Sequence, residues 1–301
     1  MIKGEIFKKS PPLRMVLQGL HHMPRARNTR MSQDSGAQTL QPNAPHLRPA
    51  RFAGRLAAPS FVLPAGVAEN ARFLAGKVDE VGLCFFEAQS CLNYGPQDLP
   101  PDLETLPLRW HVHLPVDLPW PASKSTAAYP ARAAARLAHA VLGKAAFLQP
   151  RCAVLHPPQG SPQVQRRLLA GFAHHWKNCC DIPLLLENVA HSDITCLGQG
   201  FLQDHGLGLC LDVGHLLGYG QKNLLVSTLP EQATMTHWSA PGDGDRHLPL
   251  TAFTPGQAQT AAALMQRIPA TAVHMVEIFN WNRLAASLPV LEALAQPHSG
   301  R

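Results

Sequence analysis

The residues 236–250, THWSAPGDGDRHLPL, place His237, Asp245 and His247 within one short stretch. Pro241, Gly242 and Gly244 make that stretch a turn-rich loop, from which an Asp and a His two positions apart can converge on one ion. Taken alone, an Asp-x-His reads first as part of a polar surface loop. The same residue types recur upstream and downstream, however: His111 and His113 in LRWHVHLP, His156 in CAVLHP, and Glu187 and Asn188 in IPLLLENV. Asp212 and His215 follow in GLGLCLDVGH, and Glu277 in TAVHMVEIFN. Imidazoles mixed with carboxylates suit divalent transition metals, zinc first, with manganese or iron as alternatives. Buried Asp and Glu are rare unless paired or metal-bound, so four around one pocket imply cations. No Ser-His-Asp or Cys-His arrangement competes with this reading.

The elements that must position these groups are short apolar runs followed by helix-length stretches. The runs are GRLAAPSF, EVGLCFFE, LRWHVHLP, CAVLHP, IPLLLENV, GLGLCLDVGH, ATMTHWS and TAVHMVEIFN. The clearest helical stretches are STAAYPARAAARLAHAVLGKAAF and VQRRLLAGFAHHWKNC. Strands alternating with helices argue for parallel βα units. Eight such units predict an α/β fold, a (β/α)8 TIM barrel over residues 51–301. A doubly wound open sheet is the alternative, but the chain has no GxGxxG turn. Each candidate ligand ends its strand or lies just past it, and in a barrel those ends converge on one face. His111 and His113 lie on the same side of one strand. His113, nearer the rim, is the expected ligand, and His111 the deeper, packed residue.

The composition excludes other classes. The chain has 301 residues, 46% hydrophobic and 15% charged, with a formal net charge of +6. Residues 1–55 hold ten Lys or Arg against Glu5 and Asp34, so acids and bases nearly balance over the remainder. That distribution argues against a nucleic-acid polymer as partner. Residues 1–50 are basic and rich in Pro, Gln and Asn without periodicity, and are expected to form a disordered tail, with Met31 as an alternative start. The seven cysteines show no CxxC pair, no apolar run reaches a membrane span, and no secretory signal is evident. Together these predict a cytoplasmic protein with free thiols and no membrane partner.

The order LLLENVA, LDVGH, a His closing strand seven, Asp-x-His, and a Glu on strand eight resembles the endonuclease IV-like division of the xylose-isomerase-like TIM barrels. The resemblance spans roughly residues 52–290 and implies up to three zinc ions on nine side chains. Carried over, His113 and His156 hold one ion with Glu187. Glu187 bridges to a second ion, which Asp212, His237 and Glu277 complete, while His215, Asp245 and His247 hold the third. Glu187 and Glu277 are the carboxylates expected to serve catalysis, and Glu87 and Asn188 are candidates for substrate or outer contacts. Three divalent ions against four carboxylates leave a positive balance, which suits a phosphodiester monoanion. Within the division, FVLPAGVAENARFLAGKVDEVGLCFFE and WHVHLPVDLP are most similar to the cobamide-remodelling phosphodiesterases. That likeness implies a small-molecule corrinoid substrate, cut in its nucleotide loop to leave cobinamide phosphate. The loops 88–104, 115–126 and 238–255 would shape its entry, with Tyr94, Trp120 and Trp238 available to pack on a flat ring. The rival readings are an abasic-site DNA endonuclease, a metal-dependent sugar isomerase or epimerase, and a non-catalytic metal- or ligand-carrying barrel.

Overall fold

In the computed structural model, which describes residues 49–121, 131–244 and 246–296, all eight apolar runs become strands of a closed parallel barrel. They are β1 (Leu56–Pro59), β2 (Glu80–Cys84), β3 (Arg109–His113), β4 (Ala153–Leu155), β5 (Leu184–Glu187), β6 (Leu207–Asp212), β7 (Ala233–Trp238) and β10 (Val273–Val276). Around the barrel the order is β1-β10-β7-β6-β5-β4-β3-β2, with every neighbouring pair parallel. The remaining two strands, β8 (Ala240–Pro241) and β9 (His247–Leu248), form an antiparallel ribbon inside the loop after β7. The TIM-barrel expectation holds. The tail expected over residues 1–50 lies outside the described residues as far as residue 48. Asp245, residues 122–130 and residues 297–301 lie outside them as well.

Strand residues alternate between two apolar layers. Outward side chains such as Val81, Leu83, Trp110, Val112, Leu155, Leu184, Leu186, Leu209 and Leu211 join the main core beneath the helices. Those helices include Arg132–Gly143, Pro162–Lys177, Pro255–Arg267 and Trp281–Leu294. Inward ones, Val154, Leu185, Cys210 and Met235 together with Cys152, make a small plug within the barrel. The parity that sends Leu185, Cys210 and Met235 inward does the same for Glu187, Asp212 and His237, two positions further along. Each of these strands thus carries an apolar residue in the barrel's middle and a polar one at its mouth.

One local expectation is refined. GLGLCLDVGH reads as a continuous strand, but the strand ends at Asp212 and Val213–Gly218 is helical. The Asp212 side chain caps that helix by accepting from the His215 backbone N–H at 2.5 Å, since a carboxylate satisfies an otherwise unpaired donor in a first turn. His215 therefore reaches the mouth from a helix rather than from a strand end.

His111 lies one layer below His113, where its Nδ1 is 2.7 Å from Glu80 Oε1. Arg109 Nε and Arg151 approach the other Glu80 oxygen at 3.5 and 3.7 Å. Burial opposes the Glu80 charge, yet His111 and the two arginines outweigh it and hold the carboxyl below its usual range. This pair closes the barrel floor. It also requires Gly82, because a Cβ there would sit 2.5 Å from His111 Nε2 and 2.9 Å from Met275 Sδ. Gly82→Ala is expected to destabilise the fold by about 1–3 kcal/mol through overpacking, read as a lower urea midpoint at unchanged m-value.

Candidate metal centre

The buried carboxylate of Glu187 is the hub of the barrel mouth. Its Oε2 lies 3.1 Å from His113 Nε2 and 3.4 Å from His156 Nε2. Its Oε1 is 3.5 Å from both His215 Nδ1 and His237 Nδ1. Beyond it, His237 Nδ1 stands 3.0 Å from Glu277 Oε2 and 3.9 Å from Asp212 Oδ2, and His247 Nδ1 stands 3.5 Å from the same Glu277 oxygen. Three groups of donor atoms each fall within 4.8 Å of one another: His113, His156 and Glu187; Glu187, Cys210 and His237; and Glu187, Asp212, His237 and Glu277. Among the nine candidates, eight are described and all eight gather here. Asp245 lies outside the described residues, so the trio it would complete is represented by His215 and His247, whose rings are 5.7 Å apart.

The chain holds these groups in fixed orientations. His113 Nδ1–H donates to Leu114 O at 3.0 Å, which fixes the tautomer and turns Nε2 to Glu187. His215 Nδ1–H donates to Asn188 O at 2.9 Å. Asn188 works as a clamp between the ends of β5 and β6. Its Oδ1 accepts from Asp212 N at 2.7 Å, while its Nδ2 donates to Asp212 O at 2.9 Å and to Gln221 Oε1 at 2.8 Å. Gln221 Nε2 in turn donates to Val189 O at 2.8 Å. His247 arrives on the β8–β9 ribbon, paired with Pro241. Gly214 admits that ribbon, since a Cβ there would meet Ser239 Oγ at 2.2 Å.

The donor set fits divalent ions. Glu187, Asp212 and Glu277 are each at most 3% exposed. Among the described residues, Asp212 Oδ2, Glu277 Oε2, His247 Nδ1 and both His237 nitrogens are buried and make no hydrogen bond, meeting one another only at the ion-pair distances given above. Burying that many unsatisfied polar atoms in one place costs several kcal/mol unless cations complete the set. Electrostatics agree. Burial opposes ionisation of Glu187 and Glu277, but the surrounding imidazoles, His237 foremost, hold both well below the usual carboxylate range. Asp212 goes the other way, raised by burial and by the charges of Glu187 and Glu277. A carboxyl pushed toward its proton by two neighbouring acids sits where positive charge is missing. Despite burial, His113 is raised by Glu187 and Glu277, and His237 by Cys210 together with Glu277 and Glu187.

The substrate candidates fall differently from the ligand candidates. Asn188 is fully buried, with both ends of its amide spent on the chain, and it acts on the site through Asp212 and His215. Glu87 is half-buried at the mouth and accepts from Ser90 Oγ at 2.7 Å. Of the aromatics expected to meet a flat ring, Trp238 is withdrawn from the mouth, while Tyr94 and Trp120 are partly exposed and pack on neighbouring rings. Trp238 is fully buried on the outer side of β7 and shares its Nε1–H between Thr236 Oγ1 and His274 Nδ1. Burial pushes His274 down to about 3, so its nitrogen is an acceptor. Tyr94 packs on Phe85, and Trp120 on Phe172. Two contributors had no distinct sequence signal. Gln221 lies in no recognisable motif, and Cys210, grouped with Glu187 and His237, read as one more packed thiol. Burial lifts the Cys210 thiol to about 12.

No family model and no curated protein matches the chain. Solved structures do. An endonuclease IV from Thermus thermophilus superposes with a TM-score of 0.58 at 18% identity, over 80% of this chain and 98% of that one. A D-tagatose 3-epimerase-like protein gives 0.58 at 14%, over 80% and 96%. The TTHB071 protein, also from Thermus thermophilus and soaked with ZnCl2, gives 0.52 at 23%, over 82% and 98%. These likenesses establish a common TIM-barrel fold.

Two substitutions probe the centre. Glu187→Gln removes charge from the hub and is expected to leave purified protein with clearly fewer ions per chain than wild type by elemental analysis; equal occupancy would remove Glu187 from the ligand set. Asn188→Asp keeps the acceptor to Asp212 N but loses both donations. It is expected to weaken metal affinity about 10–100-fold in a competitive chelator titration while the chain stays folded.

Proposed function

We propose that this chain is a divalent-metal-dependent phosphodiesterase. The observation that carries the reading is the number of donors around Glu187. Eight ligand-type side chains, Glu187 included, gather there among the described residues, whereas one zinc takes about four donors. The Glu187, Asp212, His237 and Glu277 group would hold a single ion unaided. His113 with His156, and His215 with His247, extend the set to either side and support a multinuclear centre, as phosphoryl chemistry uses. Ions held there would polarise a phosphoryl oxygen and lower the pKa of a water from 15.7 to about 7. The chain's own part is to place the donors rigidly, through Leu114 O, Asn188 and Gln221, and to keep the inner face dry with the Leu185, Cys210 and Met235 plug. His156, the most open of the imidazoles on Glu187, faces the solvent side where substrate enters.

For the substrate, the resemblance of FVLPAGVAENARFLAGKVDEVGLCFFE and WHVHLPVDLP supports the nucleotide loop of an adenosylated cobamide, cut to cobinamide phosphate. Charge supports it as well. The strand-to-helix segments at the mouth carry Arg246 as their one Lys or Arg among the described residues, and it pairs with Asp243 at 3.0 Å. A duplex would ask for several such cations. Abasic-site DNA is kept as a second reading because an endonuclease IV shares the fold over nearly its whole length. Among the described residues no helix is long and apolar enough to cross a membrane.

The test is to incubate metal-supplemented protein with adenosylcobalamin and, separately, with abasic-site duplex DNA. Cobinamide phosphate is expected by liquid chromatography, with turnover abolished by chelator and restored by zinc or manganese. Efficient DNA incision without cobamide turnover would reassign the substrate. Hydrolysis of neither, with ketohexose epimerisation instead, would overturn the phosphodiesterase reading.

A further inference from the structure

Four large hydrophobic side chains are exposed among the described residues: Val116, Tyr219, Val226 and Phe279. Exposed apolar groups scattered singly need no explanation, but a contiguous patch marks a contact surface. Phe279 belongs to such a patch, and Val116 is tied beside it through the backbone. Phe279 follows β10 at the barrel mouth and meets Phe86, which follows β2, edge to face at 5.8 Å. Val116, just past β3, is tied to the same place by its N–H, which donates to Phe86 O at 3.1 Å. The patch adjoins the ligand-type histidines: Phe86 lies 5.5 Å from the His113 ring and Phe279 lies 5.6 Å from the His247 ring.

We propose that Phe86, Val116 and Phe279 form the subsite for a flat, ring-bearing ester group of the phosphodiester. The proposal rests on the phosphodiesterase reading and names which part of such a substrate this chain selects. Three features point to that occupant. The wall touches the donor cluster on two sides, so a group lying on it stays within one ester linkage of a phosphate held at the cluster. None of the three side chains has a hydrogen-bonding atom, so the wall selects for apolar surface and ring shape rather than for a pattern of polar edges. Among the described residues, the mouth segments have Arg246 as their one Lys or Arg, already paired with Asp243, so these described segments offer few cations for further phosphates. A single phosphate with an apolar ring beside it matches all three. Offset or edge contacts with the Phe86–Phe279 pair then add to simple burial.

Calorimetry of the metal-loaded protein with phenylphosphonate and methylphosphonate tests this without requiring turnover. Wild type is expected to bind phenylphosphonate about five- to tenfold more tightly than methylphosphonate. Phe86→Ala/Phe279→Ala should erase that preference while methylphosphonate affinity and metal content stay unchanged. Phe279→Leu, which keeps apolar bulk and disturbs the fold least, should lose part of it. Equal affinity for the two ligands in wild type, or a preference that survives the double substitution, would overturn the subsite. Binding of neither phosphonate would instead overturn the phosphodiesterase reading on which the subsite depends.

Discussion

Glu187 carries a charge almost wholly removed from water, and the arrangement of the barrel mouth follows from that. A carboxylate 1% exposed survives only beside cations or donors, and here four imidazoles from β3, β7, the helix after β6 and the segment just past β4 converge on its two oxygens. Asp212 and Glu277 are buried close by; the imidazoles hold Glu187 and Glu277 below the usual carboxylate range, while burial and these two neighbouring acids raise Asp212. Divalent ions would resolve the imbalance, and their binding would add directly to the stability of the folded state.

Holding such a cluster demands a frame that does not yield. The outer apolar core packs the helices on the barrel, and the inner plug of Val154, Leu185, Cys210 and Met235 keeps water from reaching the cluster from below. Between these layers the polar groups are joined by short, directed bonds. Asn188 occupies both backbone groups of Asp212 and lends its own carbonyl to His215, so one residue sets the spacing of β5, β6 and the following helix. Beneath, Glu80 binds His111 through one oxygen and faces Arg109 and Arg151 at 3.5 and 3.7 Å with the other, an ion pair at the floor set apart from the donor cluster at the mouth.

The rim shows a division of labour. Its charge is concentrated in the donor cluster, while Phe86, Val116 and Phe279 present hydrocarbon beside it. On the proposed phosphodiesterase reading, such a site would handle one phosphate through the cluster and its substituents by shape, unlike a groove that tracks a nucleic-acid backbone, where positive charge is spread along the surface.

Much of this was legible in the chain itself. The alternation of apolar runs with helical stretches specified eight βα units, and the placing of His113, His156, Glu187, Asp212, His237 and Glu277 at the ends of those runs specified a shared face, because strand parity and parallel pairing leave them nowhere else to point. The choice of His113 over His111 at the mouth followed from the same geometry. What needed the tertiary structure were contacts between segments remote in sequence. Asn188 became a clamp rather than a mouth residue because Gln221, from beyond the next helix, and Asp212 take up its amide. Trp238 turned outward by parity into the core, whereas Phe86 and Phe279, nearly two hundred positions apart, met at the rim. Local pattern dictates which way a side chain faces; only closure of the barrel decides which distant side chain it finds there.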